Sequence, residues 1–274
     1  MALHRRDPPE AVVRSLLTAI GLFTVIPVRP FEVDRSAARR AMAAFPWLGL
    51  LLGGAAGLLL VGAGALGSPL VGVVAALALL AGVTGALHLD GVADTADGLG
   101  SRKPAAEALE IMRRSDIGPM GVVTLVFVLL ADFAALLTIP WDWTGAAVLA
   151  CAVMVSRAAV MVASVSTIGA RERGFGALFV GVTGRGAALV NVAAVAVVVA
   201  LLGWLTGGLA STIAFPLAGA VAAVVAWLWA RHLRRRLGGW TGDTFGSLIE
   251  VSQAAFLVAA ALSVSSLQPL LASM

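Results

Sequence analysis

Charged side chains are scarce in this sequence. Asp, Glu, Lys and Arg make up 12% of its 274 residues, whereas soluble domains carry about 25%. Hydrophobic residues make up 60%, and the mean hydropathy is +0.98. This composition excludes a soluble globular enzyme and predicts an all-α, polytopic integral membrane protein.

The sequence also lacks paired cysteines and internal repeats. Cys151 is the single cysteine, so no internal disulfide can form. No repeat of 20–50 residues and no polar stretch the size of a soluble domain interrupts the apolar pattern. We therefore expect residues 1–274 to form one helical transmembrane domain in contact with the lipid bilayer.

Seven apolar stretches are long enough to cross about 30 Å of hydrocarbon. They lie near 43–63, 70–87, 119–139, 145–165, 187–206, 210–230 and 251–270. Lys and Arg concentrate at 5–40, 102–114, 171–185 and 231–236, and are absent from the loops near 64–69, 140–144 and 207–209. Because basic loops stay on the cytoplasmic side, this alternation predicts a bundle of about seven transmembrane helices with a cytoplasmic N-terminus. The net charge of +4 follows from the same bias, so we expect no nucleic-acid partner.

The N-terminal segment Ala11–Val28 is apolar and follows basic residues, as a signal peptide would. Arg14 interrupts it, however, and no cleavage site of small residues follows Val28. We interpret the segment as a short interfacial helix that ends at Pro27 and Pro30, with a tilted or partial span as the alternative.

The first predicted cytoplasmic loop, 88–118, opens with an acidic run. Asp90, Asp94 and Asp97 share one face if the second span continues as a helix, because they stand at i, i+4 and i+7. Carboxylates this close repel one another unless a cation lies between them. Oxygen ligands favour Mg²⁺, with Mn²⁺ as the alternative. The run therefore predicts a metal site suited to phosphoryl transfer.

Other interpretations of this run stay open. Three aspartates at a membrane edge can also be a solvated helix end, although the flanking Gly91 and Gly98 favour a close approach of backbone or ligand. His88 falls on the opposite face of the helix. It is interpreted equally well as a packing residue or as a ligand.

The second half of this loop has the pattern of a short surface helix. Glu107 is interpreted as part of a surface ion pair. Glu110 is a candidate metal ligand that can also pair with Arg113 or Arg114 along the helix. The two arginines are candidates for phosphate binding, because guanidinium groups match phosphate oxygens.

The two later cytoplasmic loops also contain candidate ligands. The loop 166–186 carries Arg171, Arg173 and Arg185 among glycines, and either closes over an anion or serves as a positive-inside anchor. The loop 231–250 combines flexible backbone donors, hydroxyl groups and a carboxylate. These candidates for substrate binding and catalysis are Gly239, Thr241, Gly242, Asp243 and Thr244.

Two charged residues fall inside predicted spans, where each costs roughly 2.5–3.5 kcal/mol. Asp132 lies nearer the outer end of the third span, and Arg157 nearer the inner end of the fourth, so a direct pair is not expected. We predict that Arg157 faces a phosphate at the cytoplasmic site.

Taken together, several short segments resemble the cobalamin 5′-phosphate synthase family, also called adenosylcobinamide-GDP ribazoletransferases. The likeness runs from Phe23 to Glu250. It is carried by Phe45-Pro46-x-x-Gly49, His88-Leu89-Asp90-Gly91-x-Ala93-Asp94-x-x-Asp97-Gly98, Glu110-Ile111-Met112-Arg113-x-Ser115, Ser156-Arg157 and Gly238-Gly239-x-Thr241-Gly242-Asp243-Thr244.

The resemblance implies the last assembly step of vitamin B12 synthesis at the cell inner membrane. In that reaction, α-ribazole or its 5′-phosphate joins adenosylcobinamide-GDP and GMP leaves. The resemblance also implies Mg²⁺ held by Asp90, Asp94 and Asp97, with one of these or Asp243 taking the hydroxyl proton. The oligomeric state stays open, a homo-oligomer included.

Two alternatives come from other classes of protein. Asp94-x-x-Asp97-Gly98-x-x-Ser101-Arg102 matches the opening of the CDP-alcohol phosphotransferase motif with serine for alanine, but the second half of that motif is missing. A transporter concentrates polar residues near the bilayer midplane, in repeated halves. This chain concentrates them at one face, which disfavours transport.

Overall fold

The computed structural model describes residues 8–272, and the side-chain environments of residues 10–264, so the two ends of the predicted 1–274 domain lie outside it. The described part is helical, which confirms the all-α prediction. The elements are α1 (Pro8–Phe23), α2 (Arg35–Ala65), α3 (Pro69–Val83), α4 (Leu87–Gly100), α5 (Ala105–Ile111), α6 (Pro119–Thr138), α7 (Trp143–Ala163), a 3₁₀ turn (Gly176–Phe179), α8 (Arg185–Leu237) and α9 (Gly242–Ala272).

Helix α7 forms the centre of the bundle, since most of its residues are buried. Helix α2 packs closely along it through glycines at four-residue steps. A Cβ atom added at Gly53 would lie 2.7 Å from the Ala150 Cα, and one added at Gly57 would lie 2.9 Å from the Ala146 Cα. These glycines therefore permit the close helix packing expected of small residues in a membrane protein.

Among the residues that the structure describes, five helices are long and apolar enough to span a membrane, namely α2, α6, α7, α8 and α9. The number is six if the bent pair α3 and α4 counts as one span. The predicted count of seven is not reproduced by this criterion. The difference has two sources, because α3 has only 15 residues and the 53 residues of α8 are counted here as one helix.

Helix α8 is nevertheless broken near its middle. Gly207 and Gly208 have non-helical backbone angles. Beyond them the chain folds back, because a Cβ atom at Gly203 would lie 2.5 Å from the Ser211 carbonyl oxygen. Residues eight positions apart in a straight helix are separated by about 12 Å. The segments 185–206 and 209–237 therefore lie side by side as two arms.

The acidic run begins a new helix and does not continue the second span. Gly85 and Ala86 both have positive φ, 58° and 57°, and α4 leaves α3 at an angle of 86°. Positive φ ends a right-handed helix, so the chain turns sharply just before the acidic run. Because of this turn, α4 does not continue along the axis of the apolar helix α3.

The N-terminal segment forms the helix α1, which ends at Phe23, earlier than the predicted end at Pro27. Its Ala19 and Phe23 side chains are buried in a cluster with Phe45 of α2. Helix α1 thus packs on the bundle and contributes Phe23 to the region described next.

Candidate active site

Helix α4 is regular through its three aspartates, so Asp90, Asp94 and Asp97 share a face as their spacing predicts. This helix packs against the first turn of α9. A Cβ atom added at Gly91 would lie 2.6 Å from the Asp243 carbonyl oxygen, so only glycine permits this approach. The packing brings Asp243 beside the aspartates of α4, although the two segments are about 150 positions apart in the sequence.

The carboxylates in this region are crowded. Asp94 lies on α4, outside the five apolar helices, and its pKa is raised to about 7 by burial first, then by the charges of Asp90, Asp243 and Asp97. Crowding of this kind favours protonation or a bound cation. The region thus has the electrostatic character that the sequence predicted for the acidic run.

Asp97 differs from its two neighbours, because each of its carboxylate oxygens accepts a backbone hydrogen bond. The backbone N–H of Gly118 donates to Oδ2 at 2.6 Å, and the backbone N–H of Gly121 donates to Oδ1 at 2.8 Å. These groups lie at the start of α6, where N–H groups lack helical partners. Asp97 therefore caps α6 and fixes α4 against it, a structural role that the metal-ligand prediction did not include.

Arg171, whose role the sequence interpretation left undecided, contacts the acidic cluster. Its Nη1 donates to Asp243 Oδ2 at 3.2 Å, and its Nη2 donates to the Leu109 carbonyl oxygen at 2.9 Å. The side chain thus joins the 166–186 loop to α5 and α9. Nothing in the sequence distinguishes it from the other loop arginines.

Two predicted substrate-binding residues form the N-terminal cap of α9. The Thr244 N–H donates to Thr241 Oγ1 at 3.2 Å, and the Thr241 N–H donates to Thr244 Oγ1 at 2.8 Å. This reciprocal arrangement is a capping box. Both side chains are buried, so their hydroxyl groups stabilise the start of α9 and hold Asp243 in place.

The glycines of this segment permit close backbone contacts. A Cβ atom at Gly239 would lie 2.6 Å from the Ala170 nitrogen, and Gly242 lies against Gly176 of the 3₁₀ turn. The Ala170 N–H donates to the Trp240 carbonyl oxygen at 3.0 Å. The two cytoplasmic loops are therefore joined backbone to backbone beside Asp243.

Glu110, Arg113 and Arg114 do not line the same cavity as Asp90 and Asp243. Glu110 pairs with Arg113 at 3.1 Å, and the two side chains are 69% and 62% exposed. Arg114 is also exposed. This ion pair is the alternative the sequence left open for Glu110. The surface interpretation of Glu107 agrees with its pair to Lys103 at 3.0 Å.

Arg157 is buried in a polar network inside the bundle. Its Nη1 donates to Ser156 Oγ and to Gln253 Oε1, each at 2.9 Å. The Gln253 Nε2 donates to Asp132 Oδ2 at 2.9 Å. Gln253 thus bridges the two charges, which agrees with the expectation that they do not pair directly. The predicted phosphate-facing role gains no support from this environment, because Arg157 is only 2% exposed.

A cavity of about 170 Å³ lies beside the acidic face. Asp90 and Asp243 line its wall, together with Arg171 and Arg173. His88 and several aromatic side chains line it as well. These are Phe23, Phe45, Phe175, Phe179, Trp240 and Phe245.

The carboxylates fit a hard divalent cation that shares its coordination with a substrate. Among the residues that the structure describes, no three His, Cys, Asp or Glu side chains form a group that could hold a metal ion alone. Mg²⁺ commonly takes one or two carboxylates and completes its coordination with water and substrate phosphates. Asp90 and Asp94 suit this arrangement, since the backbone donors that occupy Asp97 do not engage them.

Curated relatives match almost the entire chain. An adenosylcobinamide-GDP ribazoletransferase of Frankia casuarinae is 40% identical over 261 residues, covering 90% of this chain and 94% of the relative. The enzyme of that name from Klebsiella pneumoniae is 37% identical over 255 residues, covering 90% and 99%. The one from Stutzerimonas stutzeri is 40% identical over 254 residues, covering 91% and 98%.

No solved structure matches the chain significantly. The family model of cobalamin-5-phosphate synthase matches residues 15–261, from α1 to α9. This match includes α4, the 166–186 loop and the first turn of α9, which together form the cavity wall. The chain belongs to the cobalamin-5-phosphate synthase family.

Proposed function

We propose that the chain joins adenosylcobinamide-GDP to α-ribazole, or to its 5′-phosphate, and releases GMP. The ribose 3′-hydroxyl oxygen forms a bond to the phosphorus that carries the cobinamide side chain. The bond from that phosphorus to the bridging oxygen breaks, and GMP leaves with the bridging oxygen. The products are adenosylcobalamin, or its 5′-phosphate, and GMP.

One observation carries this proposal. Asp90 and Asp94 of α4 lie beside Asp243 of α9, and the cavity wall also contains Arg171. Phosphoryl transfer needs charge stabilisation around a diphosphate and an acceptor for the proton of the attacking hydroxyl. The cluster supplies cationic and anionic groups at one place, as this chemistry requires.

In this proposal Asp90 and Asp94 would hold Mg²⁺, or Mn²⁺, together with the substrate diphosphate. A metal bound there would supply neutralisation of the charge on the transferring phosphoryl group. Asp243 lines the cavity and takes the hydroxyl proton, while Arg171 orients its carboxylate through the 3.2 Å contact. Asp97 keeps α4 aligned through its two backbone donors.

We further propose seven crossings of the inner membrane, with a cytoplasmic N-terminus. The crossings are α2, α3, α6, α7, the two arms of α8, and α9. The two arms of α8 support two crossings, since residues 185–206 rise about 33 Å and residues 209–237 about 44 Å, against about 30 Å of hydrocarbon. In this topology the cavity, α4 and the arginine-rich loops all face the cytoplasm.

Cysteine labelling tests this topology. Cys151, the single cysteine, is free and buried, so maleimide labelling of the wild-type protein should be low. We expect Ser101→Cys to react with an impermeant maleimide only after the membrane is opened, and Ser68→Cys to react in intact cells. Reaction of both from one side contradicts the seven-crossing arrangement.

The activity is tested with purified protein in phospholipid vesicles containing adenosylcobinamide-GDP, α-ribazole and Mg²⁺. We expect GMP and adenosylcobalamin to form in equal amounts. CDP-alcohol with an acceptor alcohol is the matched control and yields no CMP. Release of CMP without GMP from the cobinamide substrate overturns the proposal in favour of a CDP-alcohol phosphotransferase.

A further inference from the structure

The cavity beside the acidic face has an aromatic wall that the chemistry at phosphorus does not use. Five of the ten phenylalanines of the chain line it. The Phe23 ring lies 4.2 Å from Phe45 and 5.2 Å from Phe179, and Phe179 lies 5.0 Å from Phe175 (ring centroids). These rings come from α1, α2 and the 166–186 loop. Three separate parts of the chain thus converge to form one aromatic surface.

His88 lies at the end of this aromatic surface, its ring 6.3 Å from that of Phe45. The side chain is buried, 4% exposed, and lines the cavity. Its Nδ1 lies 3.4 Å from Arg157 Nη2, which is always a donor. Glu250 Oε1 also lies 3.7 Å from Nδ1, beyond hydrogen-bond distance. We therefore assign Nδ1 as the acceptor of the Arg157 N–H, which places the proton of the neutral ring on Nε2.

Within the part of the chain that the structure describes, His88 Nε2 has no hydrogen-bond partner. Arg171 and Trp240 line the same cavity, and their buried Nε and Nε1 atoms are also unpartnered among the described residues. All three carry N–H groups, and an unpaired buried donor is unfavourable. The cavity therefore suits a ligand that presents hydrogen-bond acceptors and a planar apolar ring.

Each of the two proposed substrates contains an aromatic base. The edge of guanine carries donors as well as acceptors and needs acceptors in its binding site. Benzimidazole attached to ribose has one free ring nitrogen, which only accepts. The acceptors that line this cavity, Asp90 and Asp243, are assigned above to the metal and to the hydroxyl proton. The groups that remain for a base are the unpartnered donors, and these match benzimidazole.

We propose that this cavity is the subsite for the aromatic base of α-ribazole, which packs on the phenylalanine surface and accepts a hydrogen bond from His88 Nε2 at its free ring nitrogen. This proposal rests on the proposed function. It assigns to His88 the selection of the aromatic base of α-ribazole, a role separate from the chemistry at phosphorus.

Base selectivity tests the hydrogen bond. The α-ribosides of benzimidazole and indole have the same shape, but indole has C–H in place of the acceptor nitrogen. We expect the intact protein to prefer benzimidazole riboside about tenfold or more in kcat/KM. His88→Asn keeps an acceptor for Arg157 near Nδ1 and removes the Nε2 donor, so this preference should fall to about one. His88→Gln, with a donor near the Nε2 position, should restore part of it.

The matched control is His232→Asn. His232 is exposed on α8 and stacks on Trp229, so its replacement should leave the base preference unchanged. An unchanged preference in His88→Asn overturns the hydrogen-bond assignment. Failure of the wild-type protein to release GMP with either riboside is a different result, and it rejects the proposed function.

Phe175→Ala tests the subsite without disturbing the buried network. This side chain is 41% exposed and belongs to the 166–186 loop. We expect the KM for both ribosides to rise about tenfold while the KM for adenosylcobinamide-GDP stays unchanged. Phe127→Ala on α6, where the side chain is 69% exposed, should change neither value. A rise confined to the KM of adenosylcobinamide-GDP overturns the proposal and assigns the cavity to guanine.

Discussion

Gly91 controls the distance between α4, which carries Asp90 and Asp94, and α9, which carries Asp243. A Cβ atom at this position would lie 2.6 Å from the Asp243 carbonyl oxygen and 3.1 Å from its Cα. Both contacts are to backbone, so Gly91→Ala must separate α4 from α9. An extra methyl group in a packed interior costs about 1–3 kcal/mol. A displacement of about 1 Å at reacting groups lowers a rate about 100-fold.

We therefore expect Gly91→Ala to reduce GMP release about 100-fold, with a lower melting temperature in detergent. Gly54→Ala is the matched control, because Gly54 is also helical and an added Cβ there meets no atom within 4 Å. It should keep wild-type activity and stability. Wild-type turnover in Gly91→Ala would refute the conclusion that the close contact of α4 with α9 sets the geometry of the site.

Three further variants separate structural residues from catalytic ones. Asp97→Asn weakens the acceptor for the first N–H groups of α6 and should lower the free energy of unfolding by about 1 kcal/mol. Asp94→Asn should lose turnover, but its melting temperature should stay unchanged. Equal melting temperatures for the two variants would contradict the capping role. Gln253→Leu removes the bridge between Arg157 and Asp132. It should lower the free energy of unfolding, measured by thermal unfolding, by about 3–5 kcal/mol. A loss below about 1 kcal/mol would show that the network does not stabilise the bundle.

The parts of this structure that depend on local pattern could be predicted from the sequence. The membrane class follows from composition, and Asp90, Asp94 and Asp97 share a face because helical periodicity alone determines it. The glycine-rich face of α2 likewise packs closely, as small residues in membrane helices do.

The remaining features depend on contacts between distant segments. The turn at Gly85 and Ala86 separates α4 from the second span, although the sequence is compatible with one continuous helix. Arg171 contacts Asp243, while Arg113 stays exposed, and only the packing of the 166–186 loop against α9 distinguishes these two arginines.

Asp97 illustrates the same limit. Its spacing from Asp90 and Asp94 predicts a third metal ligand, and the spacing gives no sign that the start of α6 supplies a backbone donor to each of its oxygens. A carboxylate that caps a helix and one that binds a metal look alike in a sequence, because both functions use the same acceptor atoms.

The most direct test of the account is the Mg²⁺ dependence of GMP release by the wild-type protein and by Asp94→Asn. We predict that wild-type turnover vanishes in EDTA and returns with Mg²⁺, and that Asp94→Asn needs at least about tenfold more Mg²⁺ and turns over more slowly. Identical Mg²⁺ dependence in the two proteins, or wild-type turnover that persists in EDTA, would contradict the claim that the α4 carboxylates hold the metal.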